Sequence, residues 1–113
     1  MFANIHIGDK DVGMLANAAS PYIFRQVFGE DLLQKFTTAG ENLDENIGEK
    51  MGFIFAKQAE IKDISELMKL TMTDFLEWLS EFDPLDVFLG SEEIITLYRD
   101  QKKGTSDPKK QGE

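Results

Sequence analysis

The feature that most constrains the fold is an amphipathic segment from Thr73 to Phe82. Apolar side chains recur there at helical spacing, while acidic and small polar side chains fill the opposite face. Thr73 is a candidate N-cap, and Asp83-Pro84 ends the segment, because a residue before proline disfavours helical torsion angles. A helix with one apolar face must bury it, so the rest of the chain has to supply a packing partner.

The same spacing predicts further helices on both sides of this segment. Ser20 can accept hydrogen bonds from the first free amides of a helix, Pro21 suits the first helical position, and Gly29 suits the position just past a helix end. Residues 63–71 are compatible with either a loop or one loose helical turn. We expect the remaining helices over residues 20–28, about 30–38, about 44–61 and about 84–100.

The start of the chain alternates apolar and polar residues, which is typical of β-strands. Ile5 and Ile7 share one strand face, and the GDK triplet at 8–10 offers turn chemistry. The sequence therefore predicts a mainly α (α+β) fold, with an N-terminal β-hairpin followed by four to five short helices. We expect residues 1–100 to form a single helical domain carrying the hairpin, and residues 101–113 to form a flexible, disordered basic tail.

Composition narrows the classes of function. The formal net charge is −9, and residues 1–100 alone hold 8 basic and 19 acidic residues, so the body of the protein repels phosphate backbones. We therefore expect no nucleic-acid partner. The chain has no cysteine, no apolar run long enough to cross a bilayer, and no signal-peptide pattern at its start. These features favour a soluble intracellular protein with no membrane partner.

The sequence offers no constellation of catalytic, cofactor-binding or metal-binding residues. His6 is the single histidine, and it lies between Ile5 and Ile7 with no serine or cysteine motif to activate. Carboxylate pairs such as Glu92-Glu93 are sequential, so they point in different directions on a helix. Neither glycine-rich phosphate-binding pattern is present. We expect a non-enzymatic protein without cofactor or metal.

Interaction chemistry remains, and four apolar residues are candidates for a partner-binding surface. Phe53 lies about 100° off the main stripe of its predicted helix, where it fills either a second core layer or an interface. In the last helix, Val87, Ile94 and Tyr98 form a second stripe, so this helix is broken at Gly90, sandwiched, or involved in an interface. Nearly opposite this stripe are Leu85, Phe88, Leu89 and Ile95.

Three blocks of sequence carry a resemblance to a known family. They are IGDKDVGMLANAASPYIFRQVFGEDLL at 7–33, MGFIFAKQAE at 51–60 and DFLEWLSEFDPLDVFLGSEEIITLY at 74–98. In order and overall pattern they resemble the small tail assembly chaperones of long-tailed phages and prophages of Gram-positive bacteria. The likeness is one of pattern and contains no catalytic signature.

This resemblance implies a function and a set of partners. A tail assembly chaperone binds the tape measure protein and keeps it soluble while tail tube subunits assemble around it. The implied partner is the tape measure protein, with the tail tube protein and further copies of the chain in a homo-oligomer as additional candidates. The implied location is the host cell cytoplasm, with no place in the mature virion. Two alternatives remain: another phage morphogenesis protein, such as a connector or tail completion protein, and a small acidic helical adaptor.

Overall fold

The fold is that of a computed structural model, which describes residues 2–38 and 46–106. Within those ranges an antiparallel hairpin is followed by six helices, one of them a single turn. This arrangement confirms the predicted α+β class with its N-terminal hairpin. The elements are β1 (Phe2–Ile7), β2 (Lys10–Leu15), α1 (Ser20–Phe28), α2 (Leu32–Thr38), α3 (Asn46–Glu60), α4 (Ile64–Leu67), α5 (Met72–Leu79) and α6 (Pro84–Ser106).

Strands β1 and β2 pair in register up to a two-residue turn, with Ile7 opposite Lys10. Gly8 has a φ of 66°, and a positive φ is what a type II′ hairpin turn requires at its first central position. The alternation places Ile5 and Ile7 on the buried face. Through this face β1 contacts α6 and β2 contacts α3, so the short hairpin packs on helices.

Helix α1 has the predicted bounds, although Ser20 has a different role from the predicted one. Gly29 adopts the left-handed conformation, with a φ of 69°, and its N–H donates to the Arg25 carbonyl at 2.8 Å. Ser20 makes no capping bond. Its buried hydroxyl donates to Gln58 Oε1 at 2.5 Å and accepts from the backbone N–H of Asn17 at 3.0 Å. The predicted capping role is therefore wrong, and Ser20 instead links the start of α1 to α3.

Helix α3 runs through the centre of the molecule. It contacts β2, α1, α5 and α6, which together surround it. Its buried side therefore extends well beyond the single stripe that the sequence predicts. The buried residues of α3 are Ile47, Gly48, Met51, Gly52, Phe53, Ile54, Phe55, Ala56 and Gln58.

The connection from α3 to α5 is shaped by two helix caps. The Asp63 side chain accepts from the Ser65 amide at 2.9 Å, so the segment that the sequence left open forms one helical turn, α4. Helix α5 begins two residues earlier than predicted, because its N-cap is Thr71 rather than Thr73. Thr71 and Asp74 form a capping box, in which each side chain accepts from the backbone N–H of the other.

Helix α6 begins at Pro84, as the sequence predicts, and continues to Ser106. It therefore extends six residues past the predicted end at Asp100. Of the predicted tail, residues 107–113 lie outside the described part of the chain.

Helices α3 and α6 pack closely where two glycines face α6. A Cβ built on Gly48 would lie 2.6 Å from Ser91 Cβ, and one built on Gly52 would lie 2.7 Å from Ile94 Cδ1. Residues four apart lie on the same helix face, so the two glycines line one path across α3. At this close approach, the side of α6 that carries Ser91 and Ile94 faces α3.

Candidate protein-binding surface

The four residues that the sequence puts forward for partner binding all lie in the hydrophobic core. Phe53 is 0% exposed, Val87 5%, Ile94 2% and Tyr98 8%. A side chain in this position cannot contact a partner while the fold is intact. The structure therefore corrects the prediction of a binding surface at these residues.

Phe53 is buried because α3 is covered on the side that lies off its main stripe. Its ring centre is 5.5 Å from that of Phe75, 5.9 Å from that of Trp78 and 6.4 Å from that of Phe28. Tilted and edge-on contacts at these separations are favourable arrangements for aromatic rings. Phe53 thus joins α1, α3 and α5, and the second-layer interpretation that the sequence left open accounts for it.

The stripe formed by Val87, Ile94 and Tyr98 is the inner side of α6. Ile94 lies against Gly52, and the Tyr98 ring stacks on Phe55 with ring centres 5.7 Å apart. The second stripe is therefore explained by packing against α3, and the opposite side of α6 is the one left exposed.

That opposite side carries a cluster of exposed apolar residues, here called the α6 outer face, formed by Leu85, Phe88 and Leu89. They are 63%, 44% and 58% exposed. Their spacing of three and four residues places them side by side on one helix surface. A group of apolar side chains held together in this way on a protein surface is a candidate site for contact with a partner.

Carboxylates border the α6 outer face at both ends. Asp83 is exposed just before it, and Glu92 and Glu93 are exposed one turn after it. Asp86 turns the other way, since its carboxylate lies close to Gly8 in the hairpin turn. The outer face therefore combines an apolar centre with an acidic border.

Helices α4 and α5 carry a second set of exposed apolar residues. Ile64 and Met68 are four residues apart, as are Met72 and Leu76, and each pair lies on one side of its helical turn. Two separate elements carry these four residues, whereas a single rigid helix carries the α6 outer face.

An open cleft of about 640 Å³ lies between the hairpin, α3 and the end of α5. Both of its lysines have partners. Lys10 Nζ donates to the Glu81 carbonyl at 3.2 Å and lies 5.0 Å from the Phe82 ring centre. Lys57 Nζ is 3.3 Å from Glu60 Oε1. The cleft therefore presents no convergent set of reactive groups.

Side chains that could take part in catalysis or metal binding do not cluster in the described part of the chain. The His6 side chain pairs with Asp11 on the exposed face of the hairpin. Among the described residues, no group of three or more His, Asp or Glu side chains is placed to hold a metal ion. What the described surface offers is apolar and acidic contact area.

Three groups in the described chain have shifted pKa values, for two different reasons. Burial raises the pKa of Glu49, against the opposing effect of the neighbouring Lys50. Burial likewise raises the pKa of the Tyr98 phenol. Hydrogen bonds from Ser65 lower the pKa of Asp63. None of these groups lies on the α6 outer face, and each shift follows from local packing or capping.

The sequence contained the signal for the α6 outer face. Both apolar stripes of α6 were visible, and the missing information was which of them faces the core. The close contacts of Gly48 and Gly52 with α6 settle that question.

Comparison of the chain with protein-family models, with curated proteins and with solved structures gives no match in any of the three. No helix within the described ranges is both long enough and apolar enough to cross a membrane. The case for a function therefore combines the exposed surface with the pattern of the sequence.

Proposed function

We propose that this protein is a non-enzymatic phage tail assembly chaperone, which binds the tape measure protein and keeps it soluble while tail tube subunits assemble around it. The proposal comes from the resemblance of residues 7–33, 51–60 and 74–98 to that family. The structural observation that carries it is the α6 outer face, where Leu85, Phe88 and Leu89 offer apolar contact area.

The physical chemistry of this surface suits a temporary cover. A long helical protein exposes apolar stripes until it is enclosed, and a helix face with anchors three and four residues apart can pack against such a stripe. A net charge of −9 keeps the resulting complex dispersed. The cover must later be displaced, so each contact is weak and many copies act together. Under this proposal the protein works in the host cytoplasm and is absent from the virion.

Co-expression with a tape measure protein, which the resemblance implies is encoded beside this chain, tests the proposal. We expect the soluble fraction of that protein to rise when the chain is present. If it is equally insoluble with and without the chain, the chaperone function is wrong. Detection of the chain as a fixed component of purified virions would instead favour a connector or tail completion protein.

Two triple variants test whether the α6 outer face does the binding. L85Q/F88Q/L89Q removes the face, and I64Q/M72Q/L76Q removes an equal number of exposed apolar side chains from α4 and α5. We expect the first variant to lose the solubilising effect and the second to keep it. Equal losses in the two folded variants, compared by circular dichroism, would contradict a specific role for α6.

A further inference from the structure

The charge pattern around the α6 outer face is one-sided over a long stretch of chain. Between Lys69 and Arg99 the sequence contains seven acidic residues and no lysine or arginine. This stretch includes all of α5 and the part of α6 that carries the exposed leucines and Phe88. Among the contacts described above, one basic side chain reaches the stretch: Lys10 donates to the backbone carbonyl of Glu81, just past the end of α5.

Glu92 and Glu93 are close enough to the apolar cluster to act on whatever covers it. Glu92 is four residues from Phe88, and Glu93 is four residues from Leu89, so each adjoins the face one turn further along the helix. Asp83 is exposed at the other end. A helix lying across the cluster would place its own flanking side chains beside these carboxylates.

The small size of the cluster limits what can occupy it. A stable interface between two folded proteins buries about 800 Å² on each partner, which is more than three side chains on one helix supply. A single helix with a matching apolar stripe is a better fit, because its side chains can fit between those of α6.

We propose that the α6 outer face binds an amphipathic helix whose apolar stripe is flanked by lysine or arginine side chains. This inference rests on the proposed function of the face as a binding surface, and it adds the charge of the partner. The partner's cations gain attraction from the carboxylate border, and its apolar stripe covers the exposed cluster. A helix with the same stripe flanked by glutamate meets like charges and is rejected.

Two designed helical peptides of about 20 residues provide the probe. They share one leucine stripe and differ only in the flanking residues, which are lysine in one peptide and glutamate in the other. Fluorescence anisotropy with the full chain measures each dissociation constant at low and at high salt. We expect the lysine peptide to bind about tenfold tighter at low salt, and the difference to shrink as salt screens the charges.

Matched variants separate the apolar contribution to binding from the contribution of the carboxylates. L85Q/F88Q/L89Q should weaken the lysine peptide about tenfold or more, since it removes the apolar contact. E92Q/E93Q should weaken it less, by about threefold, and flatten its salt dependence. E60Q/E66Q makes the same change in net charge at exposed positions on α3 and α4, and should leave binding unchanged.

Three results would overturn the inference. They are equal binding of the two peptides, no binding of the lysine peptide, and the same loss in E60Q/E66Q as in E92Q/E93Q. Failure here is separable from failure of the proposed function. If the chain solubilises the tape-measure-like protein but binds both peptides equally, only the inference about the partner's charge is wrong. If it distinguishes the peptides but does not solubilise that protein, only the proposed client is wrong.

Discussion

Helices α3 and α6 are both more apolar than a one-sided surface helix requires, and the fold uses the surplus differently. Around α3, other elements cover every side that carries large apolar residues. Along α6, the hairpin and α3 cover one side, and Leu85, Phe88 and Leu89 remain exposed on the other. The comparison shows that surplus apolar residues in a helix have two meanings, a central position or a binding face, and that the neighbouring elements decide between them.

The sharpest test of this difference replaces one phenylalanine in each helix. Phe53→Ala removes a fully buried ring at the centre of the aromatic cluster, and should lower the free energy of unfolding by about 3–5 kcal/mol. Phe88→Ala removes a side chain that is 44% exposed, and should change it by only about 1 kcal/mol. Urea denaturation followed by circular dichroism measures both, and similar losses in the two variants would contradict the distinction between the helices.

A second test addresses the crossing that orients α6. In Gly48→Ala the new methyl group would lie 2.6 Å from Ser91 Cβ and 2.8 Å from the Ser91 carbonyl oxygen, so backbone must move. We expect a loss of about 2–3 kcal/mol, even though alanine favours a helix by about 1 kcal/mol over glycine.

Gly52→Ala is the control for this crossing. There the nearest atom is Ile94 Cδ1, at the rotatable end of a side chain, which can move aside. The expected loss is less than about 1 kcal/mol. If Gly52→Ala proves as costly as Gly48→Ala in the same denaturation experiment, the backbone contact at Ser91 is not what fixes the crossing.

A third test concerns Gln58, the buried polar side chain of α3. Its amide carbonyl accepts from the Ser20 hydroxyl, and its nitrogen donates to Asn17 Oδ1 at 3.0 Å. Gln58→Leu should cost about 1–2 kcal/mol, because it leaves the buried Ser20 hydroxyl without its acceptor. Gln26→Leu on the exposed side of α1 is the matched control. A smaller loss of stability for Gln58→Leu than for Gln26→Leu would mean that this hydrogen-bond network does not help to hold α1 against α3.

Local signals made much of the fold predictable. Gly8 and Gly29 take the positive φ values that a hairpin turn and a helix end require, and Pro84 begins a helix. Cap identity was harder to predict. Thr71 and Thr73 are both acceptable N-caps by composition, and what decided between them is the position of Asp74, three residues after Thr71.

For the candidate surface, the sequence predicted the two apolar stripes of α6 but not which of them is exposed. Helical spacing separates the two stripes of α6 but contains no information about which one meets α3. That choice depends on contacts between residues distant in sequence, such as Gly48 with Ser91. The burial of Phe53 could not be predicted for the same reason, since the elements that cover it lie outside its own helix.

The prediction with the smallest expected effect concerns how far along α6 the inner face is buried. Tyr98 stacks on Phe55, and burial raises the pKa of its phenol in the folded protein. The unfolded chain therefore ionises first, at the ordinary tyrosine value of about 10. The stabilising difference is intact below that pH and is lost as the pH rises through the folded pKa.

Free energies of unfolding measured from pH 9 to about pH 11.5 should therefore fall more steeply for the natural sequence than for Tyr98→Phe. Tyr22→Phe, which alters the exposed tyrosine of α1, should retain the steep dependence. Parallel losses in the natural sequence and in Tyr98→Phe would mean that water reaches this phenol in the folded state. The inner face of α6 would then end near Ile94, and less of the helix would be packed against α3 than the ring contact with Phe55 indicates.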